Sequence, residues 1–167
     1  MKYFMGIIML SICCVSLFSC SMVKGKGEAE KVAESLFNDR MQNGWNGTKK
    51  YYSSLFWEST TEEKWTNIQN LVSKAMGKPK SYSLKAWKIQ SKVKTNGVSG
   101  TFVTLVYDIE YEKGKGTETL LIHKPLTEDK YSIVVHNFNS ALIQQLINKG
   151  IEQITAVQNK LNFCFGG

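Results

Sequence analysis

The chain has 167 residues, a formal charge of +7, 43% hydrophobic and 21% charged residues. That length is one ordinary domain, long enough to bury a core without disulfide staples, and an aromatic content of 11% argues against disorder. The basic excess is almost wholly lysine, scattered as Lys49–Lys50, Lys78/Lys80, Lys85/Lys88, Lys92/Lys94 and Lys113/Lys115, with Arg40 the sole arginine. Phosphate-reading sites favour the planar arginine fork, and no recognition-helix or zinc-finger pattern is present. The charge therefore fits a solvated surface near an anionic membrane, and no nucleic-acid partner is expected.

Residues 1–19 read as a cleavable export signal: Lys2, then an apolar run from Tyr3 to Phe18 broken by Ser11 and Ser16. The run is short for a membrane span and no basic stop-transfer cluster follows; the alternative is an uncleaved N-terminal membrane helix. Leu17-Phe18-Ser19-Cys20 resembles the lipobox of bacterial lipoproteins, with Phe18 unusual at its middle position. The resemblance implies thioether diacylglyceryl attachment at Cys20, cleavage before it, and an acylated, palmitate-type anchor that holds the mature chain to the cell envelope through two or three chains. Ser21, where an Asp would signal inner-membrane retention, implies the periplasmic face of the outer membrane if the host is Gram-negative. Cys13 and Cys14 leave with the signal. Once Cys20 is acylated, Cys164 has no intramolecular partner, which points to a buried thiol or an intermolecular bridge.

Residues 20–27 read as the lipidated cysteine and a short tether. The period of Ala29, Val32, Ala33, Leu36, Phe37 and Met41 predicts a helix over Glu28 to Asn43, ended by Gly44. Trp45 to Leu55 is turn-like and then Tyr-rich, with room for a short second helix; Asn46-Gly47-Thr48 matches a glycosylation sequon but reads as a turn. Thr61 to Met76 predicts a third helix with apolar Trp65, Ile68, Leu71/Val72 and Ala75/Met76, two overlapping capping boxes in Ser59-Thr60-Thr61-Glu62-Glu63, and Gly77 as its stop.

From Tyr82 the period changes from 3.6 to 2. Tyr82, Leu84 and Ala86 alternate, and Trp87 and Ile89 continue in the opposite phase, which predicts a bulge near Ala86–Trp87. Asn96-Gly97 marks a turn. Val103, Leu105, Tyr107, Ile109 and Tyr111 predict a strand, Lys113-Gly114-Lys115-Gly116 a hairpin loop, and Thr117 to Lys124 and Tyr131 to Phe138 two further strands. Ser140 to Phe163 reads as an amphipathic helix with a heptad-like seam of Ile143, Ile147, Ile154, Val157, Leu161 and Cys164, weakened by Gly150. The seam either packs on the protein's own sheet or serves self-association or an envelope protein partner.

Helices followed by a bent antiparallel meander over residues 28–139 resemble the nuclear transport factor 2-like (cystatin-like) superfamily. The segments that carry the likeness are Met41-Gln42-Asn43-Gly44-Trp45, Tyr51/Tyr52, Met76-Gly77, Ser99-Gly100-Thr101-Phe102-Val103, Glu118-Thr119-Leu120-Leu121, Tyr131-Ser132-Ile133 and Phe138-Asn139-Ser140. The resemblance implies an α+β fold in which N-terminal helices pack on a bent four-stranded antiparallel sheet to form a cone. The C-terminal helix, residues 140–167, departs from the usual ending.

No metal cluster, Gly-rich phosphate loop or nucleophile elbow is visible, and no cofactor is expected. Enzymes of the superfamily, such as ketosteroid isomerases, use acids and bases inside the cone, which makes His123, His136 and Asp108 the candidates for a pocket. A strand histidine is more often a surface or satisfied core residue. Trp45, Tyr51, Tyr52, Trp57, Trp65 and Trp87 either line a ligand mouth or form core, with Trp57, placed in a loop, the expected exposed exception. Two functions follow: a non-enzymatic, membrane-anchored binding or assembly module, or a small-molecule pocket with or without catalysis.

Overall fold

The computed structural model describes residues 24–92 and 98–150. The signal and Cys20, the Asn96-Gly97 turn, and Ile154, Val157, Leu161 and Cys164 of the seam lie outside the described residues. The architecture is α+β: helices lie on one face of a four-stranded antiparallel meander of order β1-β2-β3-β4.

Helix α1 spans 24–43, one turn earlier than the periodicity predicts, so residues 24–27 are helix and not tether. Gly25 lies in that turn. A Cβ there would sit 3.0 Å from Tyr131 Oη and 3.1 Å from Ile89 Cδ1, so a larger residue would press on both side-chain ends where the first turn lies against the sheet. The helix buries Ala29, Ala33, Leu36, Phe37 and Arg40 and stops at Gly44, whose φ is 66°.

A turn through Gly47 (φ 74°) leads into a 3-10 helix, Thr48–Tyr51, and helix α2, Ser54–Ser59. Tyr52 forms a parallel bridge to Ile133, and Ser53 N donates to Ile133 O at 3.0 Å. Helix α3, Glu62–Met76, buries Trp65, Val72, Ala75 and Met76 as expected, but its cap is Thr61, whose hydroxyl accepts from Lys64 N. The N3 residue is therefore Lys64, and neither capping box forms. Glu62 and Glu63 act instead on the N-terminal dipole.

Strand β1, Pro79–Lys92, pairs with β2, Gly100–Tyr111, and its register shifts between Leu84 and Ala86. The extra residue, Lys85, lies just before the predicted position, and the shift keeps Tyr82, Leu84, Trp87 and Ile89 on one face. Strand β3, Lys115–Pro125, and strand β4, Ser132–Asn139, complete the sheet, with further register shifts between Pro79 and Ser81 and between Leu121 and Ile122. Val103, Leu105, Tyr107, Ile109 and Tyr111 all face the helices and are buried.

Gly100 pins the β2–β3 pairing. Its φ is 146°, and a Cβ there would lie 2.2 Å from Lys124 O and 2.6 Å from His123 Nε2. Gly100→Ala is expected to lower the unfolding free energy by at least about 2 kcal/mol in urea titration, from backbone strain and overpacking; a loss below about 0.5 kcal/mol, the surface-substitution range, would contradict this packing.

Helix α4 begins after Ser140 and covers 141–150 of the described chain. Ile143 is part of the buried core, Leu142 and Leu146 pack against it, and Ile147 is exposed. The first turn of the predicted seam is thus core.

Candidate functional site: a buried polar network inside the cone

Four elements each bring one polar side chain to the helix-facing side of the sheet. Arg40 follows Ala33, Leu36 and Phe37 on the buried face of α1. Glu118 precedes Leu120 and Ile122 in phase on β3, Tyr111 ends the inward row of β2, and His136 pairs in register with Leu120 from β4. Tyr52 reaches in from the segment stitched to β4.

Glu118 is the hub. Arg40 Nη1 donates to both of its oxygens at 2.7 Å, Tyr111 Oη donates to Oε1, and His136 Nε2 lies 2.6 Å from Oε2. An ionised carboxylate has about four acceptor positions, and these contacts occupy them. The other ring nitrogen, His136 Nδ1, lies 2.8 Å from Tyr52 Oη.

The protonation pattern follows. Burial works to raise Glu118, but Arg40 and then His136 outweigh it and bring its carboxyl down to about 2. Burial likewise opposes the charge on Arg40, and Glu118 overcomes it. Burial, aided by the Arg40 charge, lowers His136 against the opposing pull of Glu118, so the imidazole is neutral. A carboxylate only accepts, so Nε2 carries the proton, and Nδ1 accepts from Tyr52, whose hydroxyl burial holds well above the usual phenol range.

Aromatic rings wall this network. The Arg40 guanidinium lies 4.0 Å from the Trp45 ring centroid, a close cation–π contact. Phe138 packs 4.3 Å from His136, and Trp65 lies against Tyr52, Phe56 and His136. Every network residue is buried, the most exposed being Tyr52 at 7%. Chemically the arrangement is an ion pair with each carboxylate lone pair and both imidazole nitrogens engaged. It has no free base or nucleophile. Among the described residues, Arg40 Nε and Trp65 Nε1 are the buried side-chain atoms left without a hydrogen-bond partner, and Arg40 lines a cleft of about 240 Å³ with Gly44, Trp45, Ser73, Gly77 and Glu112.

The predicted pocket residues separate. His136 belongs to the interior network. His123 is buried on the opposite face of the sheet, stacked 4.3 Å from Phe102 with Nε2 at 3.1 Å from Ser99 O. Asp108 is on that opposite face too, half-exposed, where Lys85 at 3.0 Å and Thr117 at 3.1 Å hold it, and the Lys85 contact lowers its carboxyl. Trp57 lies in α2 and not in a loop; it is half-buried against Phe56 and Tyr52. The exposed tryptophan is Trp87, at 45%, on the edge strand β1. Arg40, Glu118, Tyr111 and Tyr52 join His136 instead. No group of three or more metal-ligating side chains occurs among the described residues, and no described helix is long and apolar enough to cross a membrane.

No family model, curated protein or solved structure matches this chain.

Proposed function

We propose that this chain is a membrane-anchored, non-enzymatic lipoprotein of the cell envelope, with a nuclear transport factor 2-like domain that acts as a binding or assembly module. The single observation that carries the non-enzymatic part is the saturation of Glu118 and His136. A cone of this kind places its chemistry in its interior, and here the interior carboxylate and imidazole are engaged by Arg40, Tyr111, Tyr52 and each other. A general base needs an available lone pair in reach of substrate, and the imidazole offers none. The anchor rests on the lipobox-like residues before and at Cys20.

Cys20→Ser is expected to leave the precursor unprocessed and unlipidated, seen as a lost mobility shift and lost incorporation of labelled palmitate. Normal processing of that variant would overturn the anchor. For the module, capture of the protein from detergent-solubilised membranes after cross-linking in intact cells should return the same stoichiometric partner repeatedly. Repeated recovery of the protein alone counts against the assembly role.

A second reading, a small-molecule pocket, is supported by the cleft at Arg40, where the unpartnered Nε adjoins the Trp45 ring. A ligand seated there would change Trp45 fluorescence, and Arg40→Lys, which lacks Nε, would weaken it. A metabolite screen with no saturable change would remove this reading.

A further inference from the structure

We infer that two clefts sharing Trp45 as a wall form one site for a neutral oligosaccharide, which runs along the face of α3 beside Trp45. The inference rests on the small-molecule reading of the Arg40 cleft and adds to it a second cleft and a ligand class. Among the described residues, the buried side-chain nitrogens without a hydrogen-bond partner are Arg40 Nε and Trp65 Nε1. They come from different helices, yet both residues border Trp45. Arg40 lines the cleft of about 240 Å³, Trp65 lines a cleft of about 210 Å³, and Trp45 lines both. A buried N–H without an acceptor is destabilising, so each cleft favours a guest that brings one.

Trp45 is a fixed partition between them. Gly44 and Gly47, with φ of 66° and 74°, turn the chain on either side of it. Its Nε1 donates to Ser73 Oγ at 3.1 Å, and Thr48 N and Oγ1 both donate to its carbonyl. Trp65, Gln69 and Ser73 recur every fourth residue of α3 and so share one face. Gln69 lines the Trp65 cleft and Ser73 the Arg40 cleft; they are one turn apart, roughly 6 Å, a step that adjoining sugar rings match. The lining charges cancel in each cleft, which favours a neutral guest. Lys49 pairs with Glu62 at one; Lys78 balances Glu112 at the other, where Glu118 neutralises Arg40. Both volumes fall below the roughly 300–1,000 Å³ of a drug-sized pocket, so each cleft holds a ring-sized group. A hydroxyl both donates and accepts. One hydroxyl-rich chain therefore accepts from the two N–H groups and donates to Glu112 and to the amide oxygens of Asn46 and Gln69. Half-buried Trp57 adds an indole wall, on whose negative face the C–H edges of a sugar ring pack. A peptide unit, with a single donor and a single acceptor, meets fewer of these groups.

The test uses the purified full chain in a zwitterionic detergent, read by tryptophan fluorescence and by proton–nitrogen NMR of Trp65 Nε1–H and Arg40 Nε–H. The probes are maltotetraose, cellotetraose and N-acetylchitotetraose, with glucose and N-acetylglucosamine as single rings and N-acetylalanine amide as a neutral amide. The expected result is saturable binding of at least one tetrasaccharide, at least about tenfold tighter than its own single ring, with both N–H signals shifted. Asn46→Ala with Gln69→Ala, neither residue being buried, should weaken that binding about tenfold and leave the urea midpoint unchanged. A single ring that binds as tightly as its tetrasaccharide and shifts one signal overturns the joint site and leaves one cleft as a small-molecule pocket. Binding of the amide in place of the sugars overturns the ligand class and keeps the small-molecule reading. No response to any probe overturns the inference, while the small-molecule reading falls only if the wider metabolite screen is also blank.

Discussion

Glu118→Leu is expected to cost about 3–5 kcal/mol, because it leaves the Arg40 guanidinium buried without its counter-charge. Domains of this size have roughly 5–15 kcal/mol in total, so the variant should unfold at much lower urea or lie near its threshold. Arg40 is 2% exposed and donates to both Glu118 oxygens at 2.7 Å, so the carboxylate is the counter-charge of a buried cation. The double variant Arg40→Met with Glu118→Leu should be far more stable than the two single losses summed, since it removes the ion pair as a unit. It should still fall short of the parent, because Tyr111 Oη and His136 Nε2 lose their acceptor, at about 1–3 kcal/mol each. Adding Tyr111→Phe should recover part of that. Additive losses in the double variant would show that Arg40 and Glu118 are not coupled as their geometry requires.

Acid should destabilise the fold in two stages with the same sign. His136 has its folded value lowered from 6.5 by burial, with the Arg40 charge acting in the same sense and Glu118 opposing. The unfolded chain therefore takes up a proton that the folded chain refuses, and stability present above about 6.5 falls as pH drops below it. Glu118 is brought from 4.5 to about 2, burial opposing and Arg40 prevailing. Its contribution is present above 4.5 and is lost as pH falls from there toward 2, an effect of roughly 3 kcal/mol at about 1.4 kcal/mol per unit. Urea unfolding between pH 8 and 3 should give a plateau above about 7, a first decline below 6.5 and a steeper one below 4.5. His136→Gln should flatten the first decline and keep the second. Stability that rises from pH 7 to 5 would mean that His136 gains its proton on folding, the reverse of this assignment.

The fold was legible where one physical rule acted alone. The change of period at Tyr82 marked the sheet, and the phase reversal after Ala86 reported a bulge within a residue or two of Lys85, because side chains alternate strictly across a strand. Errors fell where two rules competed. Thr61 caps α3 in place of the earlier pair Ser59 and Thr60, since α2 runs through Ser59 and holds it helical. Helix α1 carries an extra turn through Gly25, a poor helix former, whose packing partners Ile89 and Tyr131 are remote in sequence and carry no local signal.

The interior network was missed for a related reason. His136 is a candidate by its chemistry and Tyr111 belongs to the alternating row of β2, but Arg40 and Glu118 stand where the 3.6 and 2 periods call for apolar residues, and a pattern read for hydrophobicity assigns the face and passes over its charged occupant. Two clues were present. Arg40 is the sole arginine in a lysine-rich chain, in phase with Ala33 and Phe37, and Glu118 shares the phase of Leu120 and Ile122. A charge on a buried face requires a partner, but Arg40 and Glu118 are 78 residues apart, and nothing local names one from the other. The alternation of β2 sets Asp108 opposite Tyr107 and Ile109, and His123 shares a face with Leu121; the structure shows that this is the face away from the helices.

The engagement of both His136 ring nitrogens in the buried network is tested most directly by nitrogen NMR of the imidazole from pH 8 to 4.5. The account expects a neutral ring with its proton on Nε2 and Nδ1 accepting from Tyr52, slow proton exchange with water, and no transition through the ordinary histidine midpoint while the protein stays folded. A ring that titrates near 6.5 with rapid exchange would contradict it, since that result requires an interior open to water and, with it, a base that a substrate could reach.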